Sequence, residues 1–263
     1  MEIPFARWYP VIATRRSRRI FDAVRPITPE LIFILQNICK EFRPFADARV
    51  ELISRVPDKI FKFIIGSYGI IKNAGAALVF IGKINNRHSP EEVGYTGEGI
   101  VLEACSLGLS TCWMAGFFSR AFVSDFIKLK NDEKVFAVSP LGFAPNTISF
   151  IDNLMSNFGR HSLRRSLTTL TCGLPEKEWS SWIKPALEAA RYSPSAVNRQ
   201  PWRFNIEPNG ITLSTDDGNI DYRVSKRLDC GIAMLNLEVA ALFQGIKGKW
   251  HLLEEPQVAR FKT

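Results

Sequence analysis

Ser193-Pro194-Ser195-Ala196-Val197-Asn198-Arg199-Gln200-Pro201-Trp202 is the most specific stretch of the chain. Two prolines bracket short polar side chains, so the backbone is stiffened and its amides, with the Asn and Gln groups, can face a ligand. Read alone, the same residues also make an ordinary helix-to-strand loop with Trp202 as its core anchor. Either reading puts a helix before the loop and a strand after it. Leu174-Pro175-Glu176, continued by Trp179, Trp182, Ile183, Ala186, Leu187 and Ala190, carries an apolar stripe at helical spacing and predicts a helix kinked at Pro185. Trp202-Arg203-Phe204-Asn205-Ile206 reads as a strand.

Working outward, the features around this loop occur twice. Arg164-Arg165-Ser166 repeats Arg15-Arg16-Ser17, and six residues after the first Arg stands Leu170 in one copy and Phe21 in the other. Each copy then enters a helix with Pro near its start. The earlier one begins at Thr28-Pro29-Glu30, with Thr28 as N-cap and Pro29 first in the helix, and continues through Leu31, Ile34, Leu35, Ile38, Cys39 and Phe42. A matching Pro follows each helix, in Arg43-Pro44-Phe45-Ala46 and in Ser193-Pro194-Ser195-Ala196. An apolar helix then ends in Gly-aliphatic-x-x-x-Trp, from Gly108 to Trp113 and from Gly245 to Trp250. Ile232–Phe243 is apolar almost all round and predicts a central buried helix. Ala76–Ile81 and Val135–Val138 read as further strands. Four features in one order at nearly one spacing make an internal duplication. The fold class expected is α+β, with two pseudo-symmetric halves, residues 1–150 and 151–263, each a sheet flanked by helices around a central buried helix. The Asn, Ser and Pro content of Pro145–Asn157 suits the boundary.

Composition narrows the function classes. At 263 residues, 46% apolar and 23% charged, the chain has the profile of a globular protein with a large core. Its longest uncharged run, Ala104–Ser119, is too short and too rich in Gly, Ser and Thr to span a bilayer, and no leader pattern follows Met1. Five scattered cysteines without a CxxC, and three histidines, argue for a reducing, cytoplasmic setting and against a disulfide framework or metal site. Cys112 has nothing basic beside it in sequence and reads as an inert thiol. The net charge of +8 concentrates in Arg15–Arg19 and Arg160–Arg165, clusters tight enough for a phosphate pocket and lacking the aromatic interleaving of a single-strand nucleic-acid binder. Gly94-Tyr95-Thr96-Gly97-Glu98-Gly99 has neither the preceding strand nor the spacing of a dinucleotide fingerprint.

Three stretches together resemble the nitroreductase family of FMN enzymes: the Pro-Ser-x-x-Asn-x-Gln-Pro-Trp-x-Phe pattern ending at Phe204, Arg15-Arg16-Ser17-Arg18-Arg19-Ile20-Phe21, and Leu102-Glu103-Ala104 through Gly108-Leu109 to Trp113. Val138–Pro145 is similar to that family's late Gly-aromatic segment. The resemblance covers most of the chain and is closest to the duplicated, single-chain branch. It implies one FMN in a cleft between the halves. In ordinary members one subunit supplies the Arg-Arg-Ser site and its neighbour the Pro-Ser-x-x-Asn loop. Here the first copy keeps Arg-Arg-Ser-Arg-Arg but has only Arg43-Pro44-Phe45-Ala46-Asp47 for the loop. The second keeps the loop, but Thr168 and Thr169 follow its Arg-Arg-Ser in place of basic residues. Intact parts from both would build one site, and the leftovers a broken second one.

By the resemblance, Arg15 and Ser17 hold the FMN phosphate with Arg16 in support, and Arg164 and Arg165 close over it. For that late pair a solvated helix face is the other reading. Arg19 reaches the pyrimidine end of the isoalloxazine, where a cation favours the reduced flavin. Pro194, Ser195, Ala196 and Asn198 line the flavin and Gln200 orients the loop. Met114, Ala115 and Gly116 stand near N5, with a plain buried loop as the alternative. No side chain is expected to be catalytic, because the flavin performs the chemistry, and no metal is expected. NADPH or NADH would act as transient reductant, with nitro-aromatic or quinone-like small molecules as acceptors. The partners expected are therefore small molecules, with no nucleic acid and no membrane, and the internal pseudo-dimer points to a monomer. The alternatives are a flavin store or sensor without turnover, and a basic polyanion-binding protein.

Overall fold

The computed structural model of the chain describes residues 1–54, 71–116, 118, 123, 125–145, 163–218 and 224–263. The first half carries helices α1 (Phe5–Thr14), α2 (Pro29–Glu41) and α3 (Ser89–Ser106), and strands β1 (Ala48–Ile53), β2 (Ala76–Lys83), β3 (Ser110–Thr111) and β4 (Glu133–Gly142). The second has strands β5 (Thr171–Gly173), β6 (Trp202–Glu207), β7 (Gly210–Thr215), β8 (Lys249–Leu252) and β9 (Gln257–Lys262), with helices α4 (Ile183–Arg191) and α5 (Lys226–Phe243). The fold is α+β, as expected, with one sheet in each half. The orders are β1-β2-β4-β3 and β5-β6-β7-β9-β8. With β5 set aside, the two orders correspond strand for strand. The expected boundary, between residues 150 and 151, lies outside the described residues.

The duplication is also legible in the way the long helices end. Gly108 (φ +81°) and Gly245 (φ +78°) both adopt the left-handed conformation that glycine takes without a Cβ penalty. Leu109 N donates to Ala104 O and Gly108 N to Cys105 O. Ile246 N donates to Ala241 O and Gly245 N to Leu242 O in the same pattern, a Schellman cap on each helix. The 137-residue interval from Gly108 to Gly245 also separates Gly94 from Gly231. At those two glycines the helices touch. A Cβ on Gly94 would sit 2.2 Å from Leu228 O, and one on Gly231 would sit 2.0 Å from Glu91 O. Leu228 again lies 137 residues after Glu91, so each helix presents the same face to the other. Arg227 adds a buried bidentate pair with Glu91 across this crossing, Nε donating at 2.9 Å.

The expected central helix is α5, buried from Arg227 to Ala241 except at Glu238, with Phe243 exposed at its end. In α2, Thr28 caps Leu31 N through its side chain and Pro29 opens the helix. Leu35, Ile38, Cys39 and Phe42 are buried as the stripe requires, whereas Ile34 stays exposed and Leu31 half-buried. The helix expected from Pro175 starts later. Glu176–Glu178 form one 3-10 turn, Trp179 is extended, and α4 begins at Ile183. Pro185 thus lies in the first turn, where no intrahelical bond needs its missing N–H, and it kinks nothing. The sequence reading also missed α1, because Pro4 and Pro10 obscure its periodicity. It is held by buried Trp8, whose indole donates to Glu103 Oε2 at 2.6 Å, and by Tyr9 stacked on Phe243 at 4.3 Å. Gly94–Gly99 lie inside α3 and form no loop. No helix among the described residues is long and apolar enough to cross a membrane.

Candidate functional site

Past the end of α1 the chain straightens, and Arg15–Phe21 runs along the sheet edge. Ser17 bridges Thr111 of β3, Arg18 N donates to Thr111 O at 2.9 Å, and Phe21 N donates to Lys72 O at 3.0 Å. Phe21 is buried over Gly142, where an added Cβ would meet its ring at 2.8 Å. This anchoring fixes the arginines between α1 and the C-terminal turn of α3, beside a cavity of about 190 Å³ lined by Arg15, Arg16 and Arg18. Arg16 donates to Ala13 O and Arg15 O. Arg15 is buried and its Nη1 has no hydrogen-bond partner.

The second half brings its own parts to the same place. The loop from Ser193 turns through one 3-10 turn, Ala196–Asn198, and Val197, Asn198 and Gln200 all take positive φ (49°, 56° and 51°). For β-branched Val197 this conformation is strained, and such strain persists only where surrounding bonds impose it. Those bonds are present. Gln200 N donates to Ser195 Oγ at 3.0 Å, and Gln200 Nε2 donates to Leu163 O and Asn198 O. Gln200 Oε1 accepts from Arg165 N at 2.9 Å. From α5, Asp229 accepts from Ala196 N at 3.2 Å and from Arg199 Nε at 2.7 Å. Burial raises the Asp229 carboxyl to about 6 against the opposing pull of Arg199.

Arg164 is bonded within the second half and lies in the field of the first-half arginines. Its guanidinium donates to Asn198 Oδ1 and to Tyr192 O, and its Nε is buried without a partner. Burial lowers its pKa to about 10, and the charges of Arg15, Arg16 and Arg191 push the same way. Arginines from both copies therefore converge. The repeat alone would have put Arg164 at a separate second site; in the structure it is close enough to Arg15 and Arg16 for their charges to act on it. Arg165 is exposed and contributes backbone: its amide to Gln200 and its carbonyl to Arg191. Ser17 is exposed, and Arg19 is half-buried with Nε unpartnered. Arg160 and His161 lie outside the described residues.

Around the segment assigned to flavin N5, Trp113 stacks on Phe80 at 4.1 Å and donates its indole N–H to Glu98 Oε2. Met114 is not free to serve a ligand. Its side chain is buried with Phe21, Cys112 and Val138, and its backbone N–H and C=O both bond Val138 at 2.9 Å. Ala115 and Gly116 follow it and are half-buried, while Phe117 lies outside the described residues. Pro194 and Ala196 are buried and Ser195 and Asn198 half-buried. Cys112 is fully buried. The described residues contain no group of three metal-ligating side chains.

The donor set suits an anionic phosphate. Arg15 Nη1, Arg19 Nε and Arg164 Nε are buried nitrogens that lack acceptors. An unpartnered buried donor costs about 1–3 kcal/mol, so a ligand that supplies acceptors to several of them gains strongly. The residues present fit FMN on this ground. The sequence reading missed Glu98, Asp229 and Asn236, which support the site from the two central helices. The available signal was a polar or acidic side chain inside an apolar helix, since such a group must find a partner when buried.

A family profile described as "Putative TM nitroreductase" matches residues 7–241. Among solved structures, a "putative nitroreductase" of Thermotoga maritima MSB8 superposes with a TM-score of 0.58 at 16% identity, covering 97% of this chain and 93% of that one. A nitroreductase family protein of Clostridium novyi NT is 20% identical with a TM-score of 0.43, over 56% of this chain and 87% of that one. An FMN-dependent nitroreductase of Clostridium difficile R20291 is 17% identical with a TM-score of 0.43, over 52% of this chain and 88% of that one. No curated protein matches the chain.

Proposed function

Because the chain belongs to the TM nitroreductase family, we propose that it is an FMN-dependent NAD(P)H oxidoreductase acting on nitro-aromatic or quinone-like acceptors. The observation carrying this reading is the convergence of Arg15 and Arg16 from one half with Arg164 and Asn198 from the other. Arg15 Nη1 and Arg164 Nε are buried there without acceptors, and Arg19 Nε is a third such nitrogen further along the same strand-like segment. When bound, FMN would supply hydride acceptance and donation at N5. The chain's own residues bind and orient. Arg15, Arg16, Ser17 and Arg164 hold the phosphate, with the Arg165 backbone securing Gln200 behind the loop. Arg19 supplies a cation at the pyrimidine end, where negative charge accumulates on reduction. Ser195, Ala196 and Asn198 present a preorganised polar edge, whose strained backbone is fixed by Gln200 and Asp229 before any ligand arrives. Ala115 and Gly116 offer backbone amides beside small side chains, which leaves a nicotinamide or an acceptor room to dock. With both parts of the site in one chain, a monomer suffices.

The test is an anaerobic titration of the FMN-loaded protein with NADPH, then NADH, followed by a quinone or nitro-aromatic. Bleaching of the visible flavin band by either nucleotide, and its return on adding the acceptor, is the expected result. A bound flavin that both nucleotides leave oxidised would replace this reading with storage or sensing.

A further inference from the structure

Near the middle of α3, Glu98 is fully buried between the two halves. Trp113 Nε1 donates to its Oε2 at 2.8 Å, while Oε1 has no partner. Across the helix crossing, the amide of Asn236 on α5 lies within reach of this carboxyl. Asn236 Nδ2 donates to Ser193 Oγ at 2.8 Å, and its Oδ1 is also unpartnered. Burial without a donor on Oε1 favours the protonated carboxyl, whereas the Asn236 amide and the Trp113 indole favour the ionised one. A proton on Glu98 would turn its unpaired acceptor into a donor.

The groups facing this carboxyl are few. Arg15 approaches from beyond α1, Trp113 from beyond β3 and Asn236 from α5, while Cys105 lies nearby on α3 itself. Burial pushes the Cys105 thiol to about 11, so it stays protonated near neutrality. Burial likewise raises Glu98, to about 7, and the Arg15 charge is the largest influence holding it down. Arg15 is therefore the neighbour through which a ligand can reach Glu98.

We propose that Glu98 is a positioning residue of the cofactor site, balancing the Arg15 charge while no anion is bound and taking a proton from solvent when a phosphate claims Arg15. The proposal rests on the reading that Arg15 holds the FMN phosphate. A bound dianion offsets the Arg15 charge that favours ionised Glu98, so the protonated carboxyl gains. Asn236, beside this carboxyl on α5, donates to Ser193 at the head of the polar loop, which places Glu98 between the phosphate site and that loop.

The experiment is calorimetric titration of the flavin-free full chain with FMN at pH 8, in buffers of different ionisation enthalpy. A phosphate monoester has its second pKa near 6, so FMN binds at pH 8 as a dianion and proton uptake belongs to the protein. Roughly half a proton or more per FMN bound is expected for the wild type, and close to none for Glu98→Gln. A companion infrared difference spectrum of the wild type should show the C=O stretch of a protonated carboxyl appearing on FMN binding, and needs no variant. FMN binding without proton uptake or without that band overturns the role of Glu98 and leaves the oxidoreductase reading standing. Equal uptake by the wild type and Glu98→Gln also overturns it. No FMN binding at all overturns both.

Discussion

The halves agree where the chain packs and differ in the segments assigned to the proposed cofactor site. Both central helices end in the same glycine cap, cross through paired glycines and feed sheets of matching strand order. One position shows how they part. Gly99 of α3 lies under the ring of Phe42, which an added Cβ would meet at 2.3 Å. Its counterpart 137 residues later is Asn236, which bonds Ser193 at the head of the polar loop. The same helical position therefore supports an apolar closure in one half and a polar, strained loop in the other. The neighbouring pair, Glu98 and Leu235, diverges likewise; both are fully buried and only one can titrate. Arg43 completes the contrast, since it spends its guanidinium on Ala48 O and Ala46 O and closes the short first-half loop on itself. A duplicated scaffold needs its packing twice, but a single site needs each of its parts once.

The sharpest way to break the shared part is Gly231→Val. Its side chain would drive against Glu91 O and force the helices apart, a loss of about 3 kcal/mol or more, or failure to fold, read by urea denaturation. Gly245→Ala is the control: nothing lies within 4 Å, so only the positive φ is penalised, at about 1 kcal/mol. If both cost the same, the crossing is not the tight contact described here.

The divided part is tested by Arg15→Gln against Arg43→Gln. Losing a charge-assisted phosphate contact should cost about 2 kcal/mol, or roughly thirtyfold in FMN affinity, while the Arg43 change stays within about threefold. Equal losses, measured by quenching of flavin fluorescence, would mean that the first-half loop also serves the ligand.

The smallest effect expected is on pH-dependent stability. Glu98 is raised from 4.5 to about 7 in the folded chain, so its favourable contribution is complete below pH 4.5 and disappears as pH rises through 7. Glu98→Gln removes that loss. Thermal unfolding should therefore show the variant more stable than wild type at pH 8, by about 1–2 kcal/mol, with no such gain at pH 5. A gain that does not depend on pH would argue against a buried ionised carboxylate.

Much of the fold was legible because it rests on periodicity and punctuation. The Thr28-Pro29 start, the Gly108 and Gly245 stops and the apolar run of α5 each have a local physical cause. The helix expected from Pro175 came out late because tertiary packing of Trp179 and Trp182 overrode a plausible stripe. Helix α1 stayed hidden because two prolines obscured it and only Trp8 and Ile12 are buried. At the site, Arg15, Arg164, Asn198 and Gln200 could be picked out as side chains that motifs bring together. That Met114 would be spent on Val138, or that Asp229 and Asn236 would brace the loop, depends on contacts between distant segments that no local pattern encodes.

The central claim is that the two copies complement each other in one cofactor site. Equilibrium dialysis of the flavin-free chain against FMN, with bound flavin counted spectroscopically, tests it most directly. Complementary halves predict saturation at one FMN per chain, reached only at roughly thirtyfold higher FMN in Arg15→Gln. Saturation at two would contradict the claim, because the first-half loop and the remaining basic residues would then form a working second site.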